Sequence, residues 1–315
     1  MRIAFNSKTA VLGLLTGFAV FFTVCAVHSS AQENSTPPDQ QASVKAAQPA
    51  VESVSADPVP EMLDKGFHRL YGLDFRGARE EFLAYQKARP EDPMGKAAEA
   101  ASYLFEEFNA KGILTSEFFL NDDKFLKGLD GDPRANANAP FMNANSAARE
   151  MAKEVLSANP RDTNAMLVLT MTDGMESDYD QVIERKQLPA VSLTRQAENE
   201  ASALLAIDPN AKDAYVALGA GHYIIGCLPG IKRAFLWFGG IHGDKERGME
   251  EMKYAVAHGH YLQPFAKILL ALAYRREHEP DLARPLLADL TQEFPTNPLF
   301  AHELALLDNA TCCKR

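Results

Sequence analysis

The apolar positions of this chain recur with the period of an α-helix through most of its length. From Pro60 onward nearly every apolar run has this spacing. Phe265, Ile268, Leu269 and Leu272, for example, fall at i, i+3, i+4 and i+7 and share one helix face. Neither a clear alternating β-strand pattern nor the Asn-Gly turn of a hairpin is present in the sequence. The pattern therefore predicts an all-α fold.

Four segments end a predicted helix in the same way. Each has a small Ala twelve residues before a Pro, with a larger apolar residue or another Ala between them. The Ala lets two helices approach closely, while the Pro ends the helix and turns the chain. The four pairs are Ala78 and Pro90, Ala148 and Pro160, Ala197 and Pro209, and Ala283 and Pro295, with Phe82, Met151, Ala201 and Leu287 between them. This repetition predicts a row of helix pairs.

These segments resemble the second helices of the tetratricopeptide repeat (TPR), a helix-turn-helix unit of about 34 residues. Tyr274 lies nine residues before Ala283, as the aromatic residue of the repeat should. Gly66 and Gly219 occupy the small position of the first helix. The resemblance covers residues 60–308 and implies an α-solenoid of stacked antiparallel helix pairs.

The chain departs from this repeat in its spacing. The intervals between the four prolines are 70, 49 and 86 residues, which are not multiples of the repeat length. The Trp of the repeat consensus is also missing. We therefore expect insertions near 109–146, 174–192 and 225–247.

The N-terminus has the plan of a secretory signal peptide. Arg2 and Lys8 precede the uncharged run Ala10–Val27, and small residues occupy the −3 and −1 positions of a cleavage site before Gln32. An uncleaved membrane anchor is the alternative, because eighteen apolar residues nearly span a bilayer. We expect export to the periplasm or the outer envelope, with secretion as a further alternative.

The segment after the signal cannot form a core of its own. It has no Leu, Ile, Met or aromatic residue and contains four prolines, so apolar burial cannot offset its ordering entropy. Both a flexible tether and a propeptide remnant fit this composition. The expected organisation is a signal peptide at 1–31, a disordered linker at 32–58, a TPR-like repeat domain at 59–308 and a C-terminal tail at 309–315.

Charge and motif spacing argue against several function classes. The net charge is −10, and no cluster of Lys and Arg is present that would displace the counterions of a nucleic acid. Gly219 and Gly221 would need a third glycine at Ile224 to form a dinucleotide-binding loop, and the His302-Glu303 pair lacks the second His of a zinc protease. The acidic run at 172–180 is interpreted as a solvated loop. We expect no enzymatic activity, no cofactor and no metal.

The TPR resemblance implies a concave groove lined by the first helix of each pair. Carried over position by position, it assigns the groove to Asn164, Leu167, Met171, Val216, Tyr223, Phe265, Ile268, Leu272 and Arg275. The Lys, Asn and Arg residues with which chaperone-binding members hold a C-terminal carboxylate are largely absent from these positions. An apolar groove suits an extended peptide or an amphipathic helix. In the alternative, the next turn of the superhelix covers these side chains.

The segment Tyr223–Gly243 is the most unusual one. It holds the only Trp of the chain, Trp237, beside Phe235 and Phe238. We expect these aromatic side chains to fill the core between repeats. The alternative is an exposed patch that binds a partner or a lipid surface, so Trp237 is also a candidate partner-binding residue.

Three cysteines would remain after signal cleavage, namely Cys227, Cys312 and Cys313. An odd number in an oxidising compartment allows one disulfide among them and leaves one thiol free. The alternative is a buried Cys227 with two reduced thiols in the tail.

Together, these features predict an exported, non-enzymatic scaffold that binds a protein partner, a peptide or an amphipathic helix, in a cell-envelope complex. The alternative is a lipid-binding or small-molecule-binding component of an envelope transport system that uses the segment Tyr223–Gly243. An uncleaved N-terminus would add a membrane contact to either function.

The position of the mature N-terminus tests the export prediction. If the signal is cleaved, mass spectrometry of the protein purified from its native envelope fraction will find Gln32 as the first residue. An intact chain that still carries residues 1–31 would instead establish the anchored form.

Overall fold

The computed structural model of the protein describes residues 58–121, 139–228, 230, 233, 237 and 242–312, with Pro58 and residues 309–312 described for their backbone alone. Twelve α-helices and no β-strand are present in these residues. In chain order, they are α1 (Pro58–Tyr71), α2 (Phe75–Ala88), α3 (Met94–Ala110), α4 (Ser116–Leu120), α5 (Ala139–Ala158), α6 (Thr163–Val182), α7 (Gln187–Ile207), α8 (Ala214–Cys227), α9 (Lys245–His258), α10 (Gln263–Arg276), α11 (Pro280–Glu293) and α12 (Pro298–Cys312). The predicted signal peptide and linker lie outside the described residues.

The helices form an all-α solenoid of stacked antiparallel pairs, as the periodicity predicts. Apart from the short α4, each helix packs against its neighbours in chain order. In the described part of the chain, the pairs are α1 with α2, α3 with α5, α6 with α7, α8 with α9, and α10 with α11, followed by a single helix, α12. We call these pairs units one to five. A pair cannot bury its apolar face alone, so each unit depends on its neighbours.

The four Ala-to-Pro segments are second helices of these pairs, which confirms that prediction. Ala78, Ala148 and Ala283 are 0% exposed, and Ala197 is buried as well. Each helix ends two residues before its Pro. One detail differs, because Ala152 rather than Met151 is the fully buried residue one turn after Ala148.

The fifth second helix, α9, lacks this signature, and the sequence pattern missed it. Gly248 stands where the other second helices have Ala, and His260 stands where they have Pro. A Cβ on Gly248 would lie 2.7 Å from the carbonyl oxygen of Gly219, and one on Gly219 would lie 2.9 Å from that of Gly248. Helices α8 and α9 therefore approach more closely than side chains on both would allow.

The predicted insertions have two different forms. The insertion near 109–146 contains α4 and the first turns of α5, and the insertion near 225–247 leads from α8 into α9. The third, at 174–192, is not an inserted loop. Helix α6 continues to Val182 and α7 begins at Gln187, so the additional residues lengthen both helices of unit three and the acidic run at 172–180 is helical.

Helix α1 of unit one also contacts the turns that precede α10 and α12. The Tyr71 hydroxyl donates a hydrogen bond to the carbonyl oxygen of Tyr261 at 2.9 Å, and the Asn297 amide donates to the Tyr71 carbonyl oxygen at 2.8 Å. The Phe67 ring stacks on Tyr261 with 4.8 Å between centroids, and Tyr71 packs against Phe294. Helix α1 is therefore bound by the turns that precede α10 and α12.

The close approach of α8 and α9 leads to a stability prediction. In Gly219→Ala, the added Cβ would lie 2.6 Å from the Met252 Cγ atom and 2.9 Å from the Met252 backbone nitrogen, so the two helices must separate. We expect a loss of about 1–3 kcal/mol in the free energy of unfolding, measured by urea denaturation.

The matched control is Gly174→Ala, since Gly174 also lies inside a helix but its added Cβ would meet no atom within 4 Å. This variant should gain up to about 1 kcal/mol from helix propensity. Equal effects of the two substitutions would contradict a packing role for Gly219.

Candidate functional site

The residues predicted to line a groove contact other parts of the same chain. The Phe265 ring of α10 packs edge-on against Phe105 of α3, with 5.7 Å between centroids. Ile268 packs against the same apolar cluster, and Leu272 is half-buried. The Arg275 guanidinium forms an ion pair with Glu303 of α12.

The remaining members of the set lie on α6 and α8. Met171, Val216 and Tyr223 are buried, and Leu167 is half-buried within the core. The Asn164 amide donates a hydrogen bond to Asp92 at 2.8 Å. An occupant of this helix face would have to replace contacts that the chain makes with itself. The assignment of these residues to a partner-binding groove remains a prediction.

The two insertions meet at the C-terminal end of α10. Within the first insertion, Ser116 donates its backbone N–H to Glu303 Oε1 at 3.0 Å, and the Phe119 carbonyl oxygen accepts a hydrogen bond from Arg276 at 3.2 Å. Glu303 therefore fixes the first turn of α4 and the Arg275 side chain together. Glu303 was considered in the sequence only as part of an incomplete zinc-protease motif, and its role in holding Ser116 and Arg275 was not predicted.

The second insertion begins and ends beside the same helix end. The Tyr223 hydroxyl lies 3.0 Å from Glu277 Oε1, and Lys245 Nζ donates to the same oxygen at 2.6 Å. Lys245 is the first residue of α9 and Glu277 directly follows α10, so this ion pair links unit four to unit five. Burial raises the pKa of the Tyr223 hydroxyl, which therefore stays protonated and acts as a donor.

Cys227 lies at this point with a free thiol. It is half-buried at the end of α8 and interacts with the Tyr223 hydroxyl. Burial raises the pKa of the thiol above its ordinary value, although Tyr223, Lys245 and Arg276 act in the opposite direction. A protonated thiol is a weak nucleophile. The side chains of Cys312 and Cys313 lie outside the described ones, so the disulfide prediction stays a prediction.

All three departures from the repeat spacing thus fall at connections between the first and second helix of a unit. In units three to five, these connections follow one another along one side of the stack, because the first helices α6, α8 and α10 lie next to one another. We define the elaborated edge as the connections of units three to five together with α4, which lies against α10.

Large apolar side chains are exposed along this edge. Leu188 in the first turn of α7 is 78% exposed, Trp237 in the unit-four connection 59%, and Leu282 in the first turn of α11 49%. The expectation that Trp237 fills the core is wrong, because its side chain is exposed. Phe235 and Phe238 lie outside the described residues.

Leu188 and Leu282 were not predicted, although their sequence positions carry a signal. The buried residues of α7 and α11 form regular stripes, and each of these leucines lies off its own stripe. A large apolar residue outside the core stripe of a helix indicates a surface contact or an accident of composition. These two leucines and the exposed Trp237 belong to three consecutive units, which favours a surface contact.

A metal site and a membrane span each make specific requirements of the described residues. In the ranges that the structure describes, no group of three or more His, Cys, Asp or Glu side chains could hold a metal ion. No described helix is long and apolar enough to span a bilayer. The polar side chains at the edge pair mainly with one another, as Lys245 does with Glu277.

The chain is similar in structure to a known repeat protein. A crystal structure of a thermophilic TPR protein from Thermus thermophilus is similar to this chain, with 16% sequence identity and a TM-score of 0.42. The match covers 79% of this chain and 98% of that one. No family model matches the chain, and no curated protein does.

The ion pair between Arg275 and Glu303 can be tested by removing one partner. Both side chains are largely buried, at 14% and 9% exposure, so Arg275→Met leaves a buried carboxylate without its cation. We expect a loss of about 3 kcal/mol in the free energy of unfolding, again by urea denaturation. The double variant Arg275→Met/Glu303→Gln should recover most of this loss, because no charge is then left unpaired and the Gln amide oxygen still accepts the hydrogen bond from the Ser116 N–H.

The exposed pair formed by Arg76 and Glu80 serves as the control, with side chains that are 88% and 66% exposed. Arg76→Met should change stability by less than about 0.5 kcal/mol. If Arg275→Met has an equally small effect, Glu303 does not hold α4 and α10 together in the way described.

Proposed function

We propose that the protein is an exported, non-enzymatic scaffold that binds a protein partner in a cell-envelope complex. The observation that supports this proposal is that Leu188, Trp237 and Leu282 are exposed on the elaborated edge, one in each of units three, four and five. Stacked helix pairs present extended surfaces of this kind, and TPR-like folds generally bind proteins. Export rests on the signal-like N-terminus.

The form of the edge supports a partner that is an amphipathic helix. The first helices of units three to five pack against one another, and packed helices lie about 8–10 Å apart, so we expect the connections that follow them to repeat at a small multiple of that distance. A partner helix rises about 1.5 Å per residue, so residues seven apart are separated by about 10 Å on nearly the same face. A partner helix with an apolar residue at every seventh position can therefore contact the exposed residues of successive units.

Substitution of the exposed residues tests the proposal. The tagged mature chain should recover a partner in fixed ratio from a solubilised envelope fraction, as measured by size-exclusion chromatography with light scattering. We expect Trp237→Ala and Leu188→Ala each to weaken the complex about tenfold or more, because buried aromatic and apolar anchors contribute most to such interfaces.

Leu83→Ala is the control, since Leu83 is 47% exposed on α2 and lies away from the elaborated edge. It should retain the partner at the wild-type ratio. Recovery of the protein alone, or equal recovery by all variants, would contradict the proposal.

A lipid-binding role is the second candidate, and the same exposure of Trp237 favours it. Because Trp237 is the only Trp of the chain, its emission reports on this position alone. A blue shift on addition of phosphatidylglycerol vesicles would favour the lipid role. An unchanged spectrum with vesicles, together with a shift on addition of the recovered partner, would favour the scaffold.

A further inference from the structure

The second helix of unit three, α7, carries two carboxyls that face different neighbours. Glu198 lies against α8 and Glu200 lies beside the carboxyl of Asp173 on α6. Each has one buried oxygen, Glu198 Oε1 and Glu200 Oε2, for which the described residues provide no hydrogen-bond partner. Buried polar atoms are normally paired, so two unpaired ones on a single helix call for a physical explanation.

The Glu198 carboxyl is confined by a glycine on the facing helix. A Cβ on Gly221 would lie 2.1 Å from Glu198 Oε1, so the carboxyl occupies the space that a side chain at position 221 would fill. The carboxyl therefore lies within the seam between α7 and α8.

The charged groups around Glu198 are engaged elsewhere. His222 Nδ1 of α8 lies 2.6 Å from Glu251 Oε2 of α9, and Arg247 Nε donates to Glu251 Oε1 at 2.9 Å. The charge of Arg195, on the same helix, opposes the effect of burial on Glu198. Glu251 thus binds both His222 and Arg247, and a charged Glu198 would add a second negative charge to the seam.

Glu200 has similar surroundings on the other side of α7. The Arg149 guanidinium of α5 donates to Asp173 at 2.5 Å and to Glu176 at 2.6 Å, and both carboxylates belong to α6. Lys153 acts on Glu200 only at longer range. One buried guanidinium is therefore shared by two carboxylates, and a charged Glu200 would add a third negative charge beside them.

Protonation relieves both conflicts. Burial raises the pKa of Glu198 to about 6 and that of Glu200 to about 7. In an unfolded chain, both carboxyls would titrate near their ordinary value of about 4.3. A raised pKa in the folded state means that folding favours the protonated form. Its contribution to stability is complete below about pH 4.3 and is lost as the pH rises through 6 and 7.

We propose that α7 is a pH-responsive hinge of the solenoid, held firmly by both neighbours when Glu198 and Glu200 are protonated and loosely when both are charged. The hinge lies between units two and four. Leu188 is in the first turn of α7, so a movement of this helix also displaces one apolar residue of the elaborated edge.

Isosteric substitutions test the hinge. Glu198→Gln, Glu200→Gln and the double variant remove the charge while keeping the shape of each side chain. The unfolding equilibrium constant of the wild type should rise from pH 5 to pH 8, relative to the double variant, by about tenfold or more for each carboxyl. Each single variant should lose part of this dependence.

Glu154→Gln on α5 is the matched control, because Glu154 is exposed. The ratio of its unfolding equilibrium constant to that of the wild type should be the same from pH 5 to pH 8. A constant ratio between the unfolding equilibrium constants of the wild type and the double variant from pH 5 to pH 8 would overturn the proposal.

Hydrogen exchange distinguishes a hinge from a uniform change in stability. After correction for intrinsic exchange rates, the amides of α7 should become less protected between pH 5.5 and pH 8 in the wild type, while those of α2 should not. The double variant should show no such difference between the two helices. Equal changes in α2 and α7 would contradict a local hinge.

A measurement on the wild type alone avoids any folding defect of the variants. Exposed carboxyls are ionised at pH 6, so an infrared carbonyl band of protonated carboxylic acid that persists there belongs to buried groups. We expect this band to disappear between pH 6 and pH 8. The band should be weaker in the double variant, which separates Glu198 and Glu200 from Asp173, Asp178 and Asp180, whose pKa values are also raised by desolvation. Its absence at pH 6 would overturn the proposal.

Discussion

The close crossing of the two helices within each unit is the constraint on which the rest of the structure depends. A small residue at the crossing, Ala78 in unit one or Gly248 in unit four, allows the backbones to approach and the larger apolar residues around them to interlock. Each pair still exposes an apolar face, which is buried only when the next pair stacks on it. Local sequence therefore determines the pairs, and the stacking follows from them.

This dependence explains why the sequence predicted the helix pairs well. Periodicity and the Ala-to-Pro spacing are local signals, and they identified four of the five second helices. Helix α9 was missed because Gly248 stands in place of the small Ala and His260, whose backbone N–H donates a hydrogen bond to Asp213, stands in place of the Pro. The additional residues of unit three were interpreted as an insertion because spacing alone does not distinguish an inserted loop from two longer helices.

The candidate site was less accessible to prediction, because it depends on contacts between distant parts of the chain. Arg275 was assigned to a groove, but its partner Glu303 and the backbone of Ser116 come from elements far away in sequence. Trp237 was expected in the core because aromatic residues are usually buried, but its side chain is 59% exposed.

The contact between the first unit and the turns before α10 and α12 has a consequence for how the chain folds. An open repeat protein can begin to fold as soon as its first repeats have left the ribosome, and it tolerates the removal of a terminal repeat. In this chain, the hydroxyl of Tyr71 finds its acceptor 190 residues later. Helix α1 therefore completes its packing only after the turns before α10 and α12 have been synthesised, so a chain released before those turns would lack the acceptor and donor that Tyr71 requires.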